Sequence, residues 1–548
     1  MIYHLARRLL VSCVALGLAA SPCIAGAAAP APGIPLPAAL EAAGARIGEI
    51  TIDAQNIFDL DDPAENNFLF RLANRLHIRT QPSVIRRALP FKSGDPFRVR
   101  LMEEAERLLR ANRFIYDVDI RPTAFHDGVV DLEVTTRDTW TLNPRVNFSR
   151  SGGANTTSFA LQEYNLLGRG ISLSFARSTD VDRSGNEFRV SLDRAWDSRT
   201  SISYAYAKLS DGRREAFSLD RPFYALDTRD AIGVSALEDK RIDSIYSDGS
   251  LVGQYRHHLD KVETYAGWSD GLVGGFARRY SAGVGYQTDA FPVDPGLSQP
   301  ARLPAFRKLV SPFVRYELVE DDYRKVKNRD LIERPEFFPM GFHATAQVGR
   351  SMSGLGASRN LWLYSGTVSD GFTLRSDDQL LAKASLTGEY GSAGVERQLF
   401  SASARYYLPQ SSRAVFFASA SGDIATNVDP ADQLLLGGDT GLRGYPLRYQ
   451  AGNRRALATV EERVYSDWYP FRLFRVGAAA FYDIGRAWGG PYSNTVNANW
   501  LGDAGFGLRI LTTRSAFNNL LHADVAFPLH RDPNIKSVQY IVKLTTSF

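Results

Sequence analysis

From residue 141 onward, apolar and polar side chains alternate in strand-length runs separated by turn signals, with almost no helical period. Ile171, Leu173 and Phe175 share one face, against Ser172, Ser174 and Ala176. Phe188, Val190 and Leu192 alternate with Arg189, Ser191 and Asp193, and Ile202, Tyr204 and Tyr206 with Ser201, Ser203 and Ala205. Such runs suit a sheet with lipid on one face and a wet lumen on the other. Ser184-Gly185, Asp211-Gly212, Asp248-Gly249, Asp270-Gly271 and Asp370-Gly371 recur as turn dipeptides. At roughly 25 residues per strand and loop, residues 141–548 predict an antiparallel transmembrane β-barrel of about sixteen strands. The proline-rich stretch 291–312 predicts one long loop.

The chain ends on a strand pattern. Val538, Tyr540, Val542, Leu544, Thr546 and Phe548 face one way, and Ser537, Gln539, Ile541, Lys543, Thr545 and Ser547 the other. A last strand that pairs with the first, near Val146 and Phe148, closes the barrel and leaves no edge. The alternative is a soluble sandwich ending on an edge strand. Against it stand the aromatic content, 11%, and the export signal at the N-terminus.

That signal covers residues 1–27. Arg7 and Arg8 precede an apolar run over 9–20, and Ala25-Gly26-Ala27 fits the cleavage site. The run is too short for a membrane anchor. Its removal takes away the two cysteines, Cys13 and Cys23, which excludes a disulfide framework or thiolate metal site in the mature chain. Residues 28–45, rich in Ala and Pro, read as a tether. Lys+Arg 64 against Asp+Glu 60 excludes a strongly basic face, so no nucleic-acid partner is expected.

Residues 46–140 read as one small unit in the order β-α-α-α-β-β. Ile47, Ile50 and Ile52 mark the first strand. Asp62-Pro63-Ala64-Glu65 opens a helix reaching Leu76, with Phe68, Leu69, Leu72 and Leu76 on one stripe. Pro82 opens a second helix with Val84, Ile85, Ala88 and Leu89. Asp95-Pro96 caps a third, with Phe97, Leu101, Ala105 and Leu108 at helical spacing. Two strands follow, one placing Phe114, Tyr116, Val118 and Ile120 on a face, the other Val130, Leu132 and Val134, joined at Asp127-Gly128. A generic α+β domain would satisfy this pattern. The stretch Pro90-Phe91-Lys92-Ser93-Gly94-Asp95-Pro96-Phe97 makes the unit resemble a POTRA domain, the periplasmic module that precedes certain outer-membrane barrels.

Gly437-Gly438-Asp439-Thr440-Gly441-Leu442-Arg443-Gly444-Tyr445 is a glycine-rich loop with one arginine. No Lys-Ser or Lys-Thr follows the glycines, so it is a poor phosphate cradle. It resembles the conserved-loop motif of the BamA/TamA-type outer-membrane assembly-factor superfamily, in which an Arg-Gly-aromatic tip folds back into the lumen. Thr459, Glu461 and Arg463 on one strand face, Phe481-Tyr482-Asp483-Ile484-Gly485, and the early segment Glu163-Tyr164-Asn165-Leu166-Leu167-Gly168-Arg169-Gly170 are similar to other parts of that family in the same order. The resemblance implies that Gly438, Leu442, Arg443, Gly444 and Tyr445 form the lumenal tip. It implies that Arg443 pairs with Asp483 and Glu461, and that Val538, Tyr540, Val542, Leu544 and Phe548 carry the C-terminal insertion signal. The physics points the same way: an arginine in a confined lumen needs carboxylates, and its planar fork can meet two. By parity Glu462 belongs with Val460 and Val464 on the lipid side.

The family implies an outer-membrane protein, not an enzyme, that assists insertion or translocation of other proteins, with the POTRA-like unit in the periplasm. Its partners would be outer-membrane lipid and unfolded client outer-membrane or secreted proteins, with a periplasmic or inner-membrane partner left open. One POTRA-like unit, where relatives carry several, leaves two alternatives: a two-partner-type translocator for one exoprotein, or a passive pore or surface antigen. No cofactor or metal site is expected. His257 and His258 are adjacent on a strand and point apart, and Gly349-Arg350-Ser351-Met352-Ser353-Gly354 misses the G-x-S-x-G elbow of hydrolases.

Overall fold

The computed structural model describes residues 34–195, 199–375, 377–516, 520–530, 533 and 535–545. The expected export signal, the start of the tether and the terminal Phe548 lie outside them.

The N-terminal part is a three-stranded sheet with helices on it. Strand Arg46–Gln55 runs parallel to strand Val129–Asp138, which pairs antiparallel with strand Ile115–His126 through the Asp127-Gly128 turn. Helices Pro82–Ala88 and Val99–Arg110 cover it, burying Val84, Ile85, Leu101, Ala105 and Leu109 on Ile47, Val130, Leu132 and Val134.

Several sequence expectations shift here for local reasons. Residues 37–42, expected in the tether, form a helix because Leu40 is buried in this core. The first long helix starts at Phe68, since Asn67 Oδ1 caps Phe70 N at 3.0 Å, while Asp62 closes a separate turn with Ala64 N at 2.9 Å. The third starts at Val99, because the Asp95 carboxylate takes Lys92 N at 2.9 Å instead of capping. Leu109, rather than Leu108, faces the core. A bulge between Ile115 and Asp117 buries Phe114, Ile115 and Val118 and turns Tyr116 toward Arg334 and Arg514.

From Leu142 on, twenty antiparallel strands among the described residues form a closed barrel, from Leu142–Ser151 to Gln539–Thr545. The excess over sixteen comes from two-residue turns such as Gly152-Gly153, Asp248-Gly249 and Gly274-Gly275, which need less chain than the allowance made. Asp270-Gly271 is a bulge inside strand Ser250–Val273, and Asp370-Gly371 lies inside strand Leu361–Phe372. At Gly371 a Cβ would lie 2.6 Å from Met340 Cα, so this glycine serves close packing rather than a turn. The long loop ends at Arg307, and Pro312 sits inside a strand, just before that strand's ladder with His343–Ser351 begins at Phe313↔Gly349.

The wall inverts the usual polarity. Val460, Val464, Tyr482, Phe506, Leu508 and Tyr540 are exposed outside, whereas Glu461, Arg463, Asp483, Arg509 and Asp524 are buried inside. This is the arrangement of a barrel that faces lipid. The last and first strands meet at Val542↔Arg150, with Tyr540 outward and Gln539 and Ile541 inward.

The N-terminal unit sits on one rim, called here the near rim. Asn165 Nδ2 donates to Thr80 Oγ1 at 2.8 Å, Gln81 N to Gly168 O at 2.9 Å, and Leu226 N to Glu104 Oε1 at 2.8 Å. Gly168 is required at this contact: its φ is +70°, and a Cβ would lie 2.3 Å from Arg79 O.

Candidate functional site in the barrel lumen

The loop over 427–453 leaves the far rim and folds back inside. A short ladder between Leu434–Leu436 and Gln450–Gly452 stiffens its base. Gly437 N donates to Thr440 Oγ1 at 2.8 Å, and Leu442 N and Tyr445 N donate to Gly437 O and Leu442 O, each at 3.1 Å. Leu442 and Tyr445 are fully buried with Leu436, Ala487 and Leu501. Gly444 passes so near the wall that a Cβ would lie 2.6 Å from Asp503 Cβ, and at Gly438 one would lie 2.5 Å from Gly152 N. Tyr445 Oη donates to Gly502 O at 3.0 Å. Gln433 bonds both ways with the Tyr246 backbone, and Arg448 holds Asp182, fastening the loop to the far rim.

Arg443, 0% exposed, points into the wall. Its Nε and Nη2 meet the two oxygens of Asp483 at 2.7 and 2.8 Å, a bidentate fork. Nη1 donates to Glu461 Oε1 at 2.8 Å and to Asp524 Oδ2 at 3.2 Å, and the guanidinium lies 3.3 Å from the centre of the Phe481 ring. Thr459 Oγ1 donates to Asp483 Oδ1 at 2.8 Å. Glu461 also takes Arg463 Nε at 2.8 Å and Arg509 Nη2 at 3.4 Å, and Arg509 bonds Asp524. Three arginines and three carboxylates therefore interlock in a buried place, where breaking one partner leaves a buried charge. Glu462 is turned away and takes Gln410 Nε2 at 3.2 Å near the rim.

A second insertion comes from the near rim. Between strands Arg307–Glu320 and His343–Ser351, a hairpin pairs Tyr323–Val326 with Glu336–Pro339. Its tip reaches the same cluster. Arg463 Nη1 donates to Arg329 O at 2.9 Å, Tyr407 Oη to Asp330 Oδ1 at 2.8 Å, and Arg329 Nε to Gln379 Oε1 at 2.6 Å. Glu336 accepts the backbone N–H groups of Arg329, Asp330 and Leu331 at 3.0 to 3.2 Å. Burial, then the neighbouring Asp330, pushes the Glu336 carboxyl up to about 8. The hairpin also reaches the N-terminal unit, through Lys325 Nζ to Glu106 at 2.7 Å and Arg334 to Ile115 O at 3.3 Å.

Asp524, Arg509 and the whole hairpin were absent from the sequence expectations. The available signal was weak: strand Leu501–Thr512 offers Arg509 beside the carboxylate Asp503, and strand Leu520–Pro528 offers Asp524 beside His522, with nothing local to say which of them meets Arg443. His257 lies in the lumen between Asp243 and Asp289, at 2.8 and 3.1 Å. Among the described residues no group of three or more His, Cys, Asp or Glu is placed to hold a metal ion. The cluster is an electrostatic latch in form: it holds the backbone of two insertions in place.

No family model matches the chain, and no curated protein matches it. Among solved structures it is similar to BamA from Haemophilus ducreyi lacking POTRA domains 1–3, at 12% identity over 91% of this chain and 84% of that one, TM-score 0.38. It is similar to CdiB from Acinetobacter baumannii, at 13% identity over 91% and 73%, TM-score 0.44. It is also similar to CdiB from Escherichia coli, at 14% identity over 92% and 76%, TM-score 0.48.

Proposed function

We propose that this chain is an outer-membrane barrel of the BamA/TamA type, without enzymatic activity, that assists insertion or translocation of other proteins. The observation that carries this reading is the loop held in the lumen by Arg443 on Asp483, Glu461 and Asp524. A passive pore gains nothing from a buried latch that holds a loop across its own lumen. In this reading the N-terminal unit is a periplasmic POTRA domain, and the near rim is the periplasmic rim. Strand Ile115–His126 is an edge of its sheet, open to pairing with an incoming extended segment. The seam between Leu142–Ser151 and Gln539–Thr545 is the place where a client strand would leave toward lipid. Energy comes from client folding.

A second reading has one observation in its favour. A cavity of about 760 Å³ with mixed polar and apolar walls remains beside the loop, lined in part by Gln287, Gln347, Glu389, Arg397, Leu309 and Leu399. It suits passage of one secreted chain through the lumen. Quantitative proteomics of a deletion strain, with and without complementation, separates the readings. Loss of membrane barrels supports assembly, and loss of one secreted protein supports translocation. Unchanged fractions would overturn both.

A further inference from the structure

Helix Phe68–Leu76 turns its apolar stripe away from the core. Phe68 is 69% exposed, Leu69 68% and Leu76 63%, with Leu72 also exposed and Ile78 exposed just beyond the helix. At 100° per residue the four helix positions fall within an arc of about 100°, flanked on one side by the exposed Arg71 and Arg75. The buried side is made by Phe70, whose ring stacks on Phe58 at 3.8 Å, with Ala73 beside it. A helix of a soluble domain would bury the wider stripe.

The helix is held against the barrel at the level where the wall begins. Its small core includes Trp140, just before the first barrel strand, and Leu473, in the rim turn after strand Arg454–Tyr465. Arg514, on another rim turn, pairs with Glu65 and donates to Ile57 O at 3.3 Å. The turn carrying Leu473 also exposes Trp468 and Phe471, the latter 80%. Leu142 and Val464 are exposed on the outer wall at this same rim. The stripe therefore stands at the rim where the lipid-facing wall begins, with the exposed aromatic residues of the rim turn at that level and arginines along its flank.

We propose that this helix lies in the headgroup region of the near leaflet, its occupant being the phospholipid bilayer itself. Phe68, Leu69, Leu72 and Leu76 enter the acyl boundary, and Arg71 and Arg75 face lipid phosphates. The inference rests on the reading of the barrel as membrane-embedded. It gives the N-terminal unit a fixed seat on the membrane, a few residues ahead of the first strand at the seam.

The test uses the full mature chain, starting after residue 27 and therefore free of native cysteine, in vesicles of phosphatidylethanolamine and phosphatidylglycerol. Single cysteines replacing Leu69, Leu72, Leu76, Arg71 or Leu508 carry a fluorophore, and the lipid carries a nitroxide quencher on its acyl chain, below the phosphates. Quenching at the three helix leucines comparable to that at Leu508, and several-fold greater than at Arg71, is the expected result. Quenching at Leu508 with none on the helix overturns the proposal and leaves the barrel reading intact, including when those probes are shielded by a client or a second copy. No quenching at Leu508 would overturn the barrel reading instead.

Discussion

Arg463 and Glu461, two positions apart on one barrel strand, share a 2.8 Å hydrogen bond, and each holds a different insertion. The other oxygen of Glu461 takes Arg443 from the far-rim loop, while Arg463 Nη1 holds the Arg329 carbonyl of the near-rim hairpin. One ion pair thus joins two insertions that enter the lumen from opposite ends. Through Arg334 and Lys325 the connection extends to the N-terminal unit.

Replacing Arg463 with Ala should release the near-rim hairpin. Loss of one member of a buried pair costs roughly 3–5 kcal/mol. Amide exchange should accelerate over 323–339. Unchanged exchange there would show that the pair does not hold the hairpin.

Docking of the hairpin should depend on pH. Burial, with Asp330 alongside, raises the Glu336 carboxyl to about 8, so the docked state binds the proton more tightly than a hairpin free in water. Docking is then favoured at low pH and weakens as pH rises from about 4.5 toward 8. Exchange over 323–339, corrected for intrinsic rates, should increase across that range. Glu336→Gln should flatten the dependence, whereas an equal dependence in that variant would place its origin elsewhere.

The seam offers a chemical lock. Arg150 and Val542 are partners across it, close enough for a cysteine pair to form a disulfide. In a strain carrying R150C/V542C, oxidising conditions should block release of client barrels into the membrane, and a reductant should restore it. Undiminished client assembly with the lock formed would exclude lateral release through this seam.

The barrel and the tip of the latch were legible because each is written locally. Alternation fixes which side chains face the lumen, and Gly437 to Tyr445 carries its own turn chemistry. The partners of Arg443, Asp483 and Glu461, came from the resemblance to the assembly-factor superfamily, and the physics added only that an arginine in a confined lumen needs carboxylates. Asp524 and Arg509 were hidden because their pairing depends on the register of two strands, in which Gly507 opposes Asp524. The hairpin was hidden because Asp330 and Arg329 find their partners across the lumen, among them Tyr407 and Gln379, far away in sequence. The stripe of helix Phe68–Leu76 was legible as a pattern, yet periodicity does not say whether a stripe faces a core or a membrane.

The most direct test of the latch is conductance across a planar bilayer, comparing the wild-type protein with Arg443→Ala. The substitution leaves Glu461, Asp483 and Asp524 short of a partner and should free the far-rim loop, with heat-modifiable migration verifying that the barrel still folds. The account predicts a small, mostly closed conductance in the wild type and frequent large openings in the variant. A large wild-type conductance that Arg443→Ala leaves unchanged would contradict it.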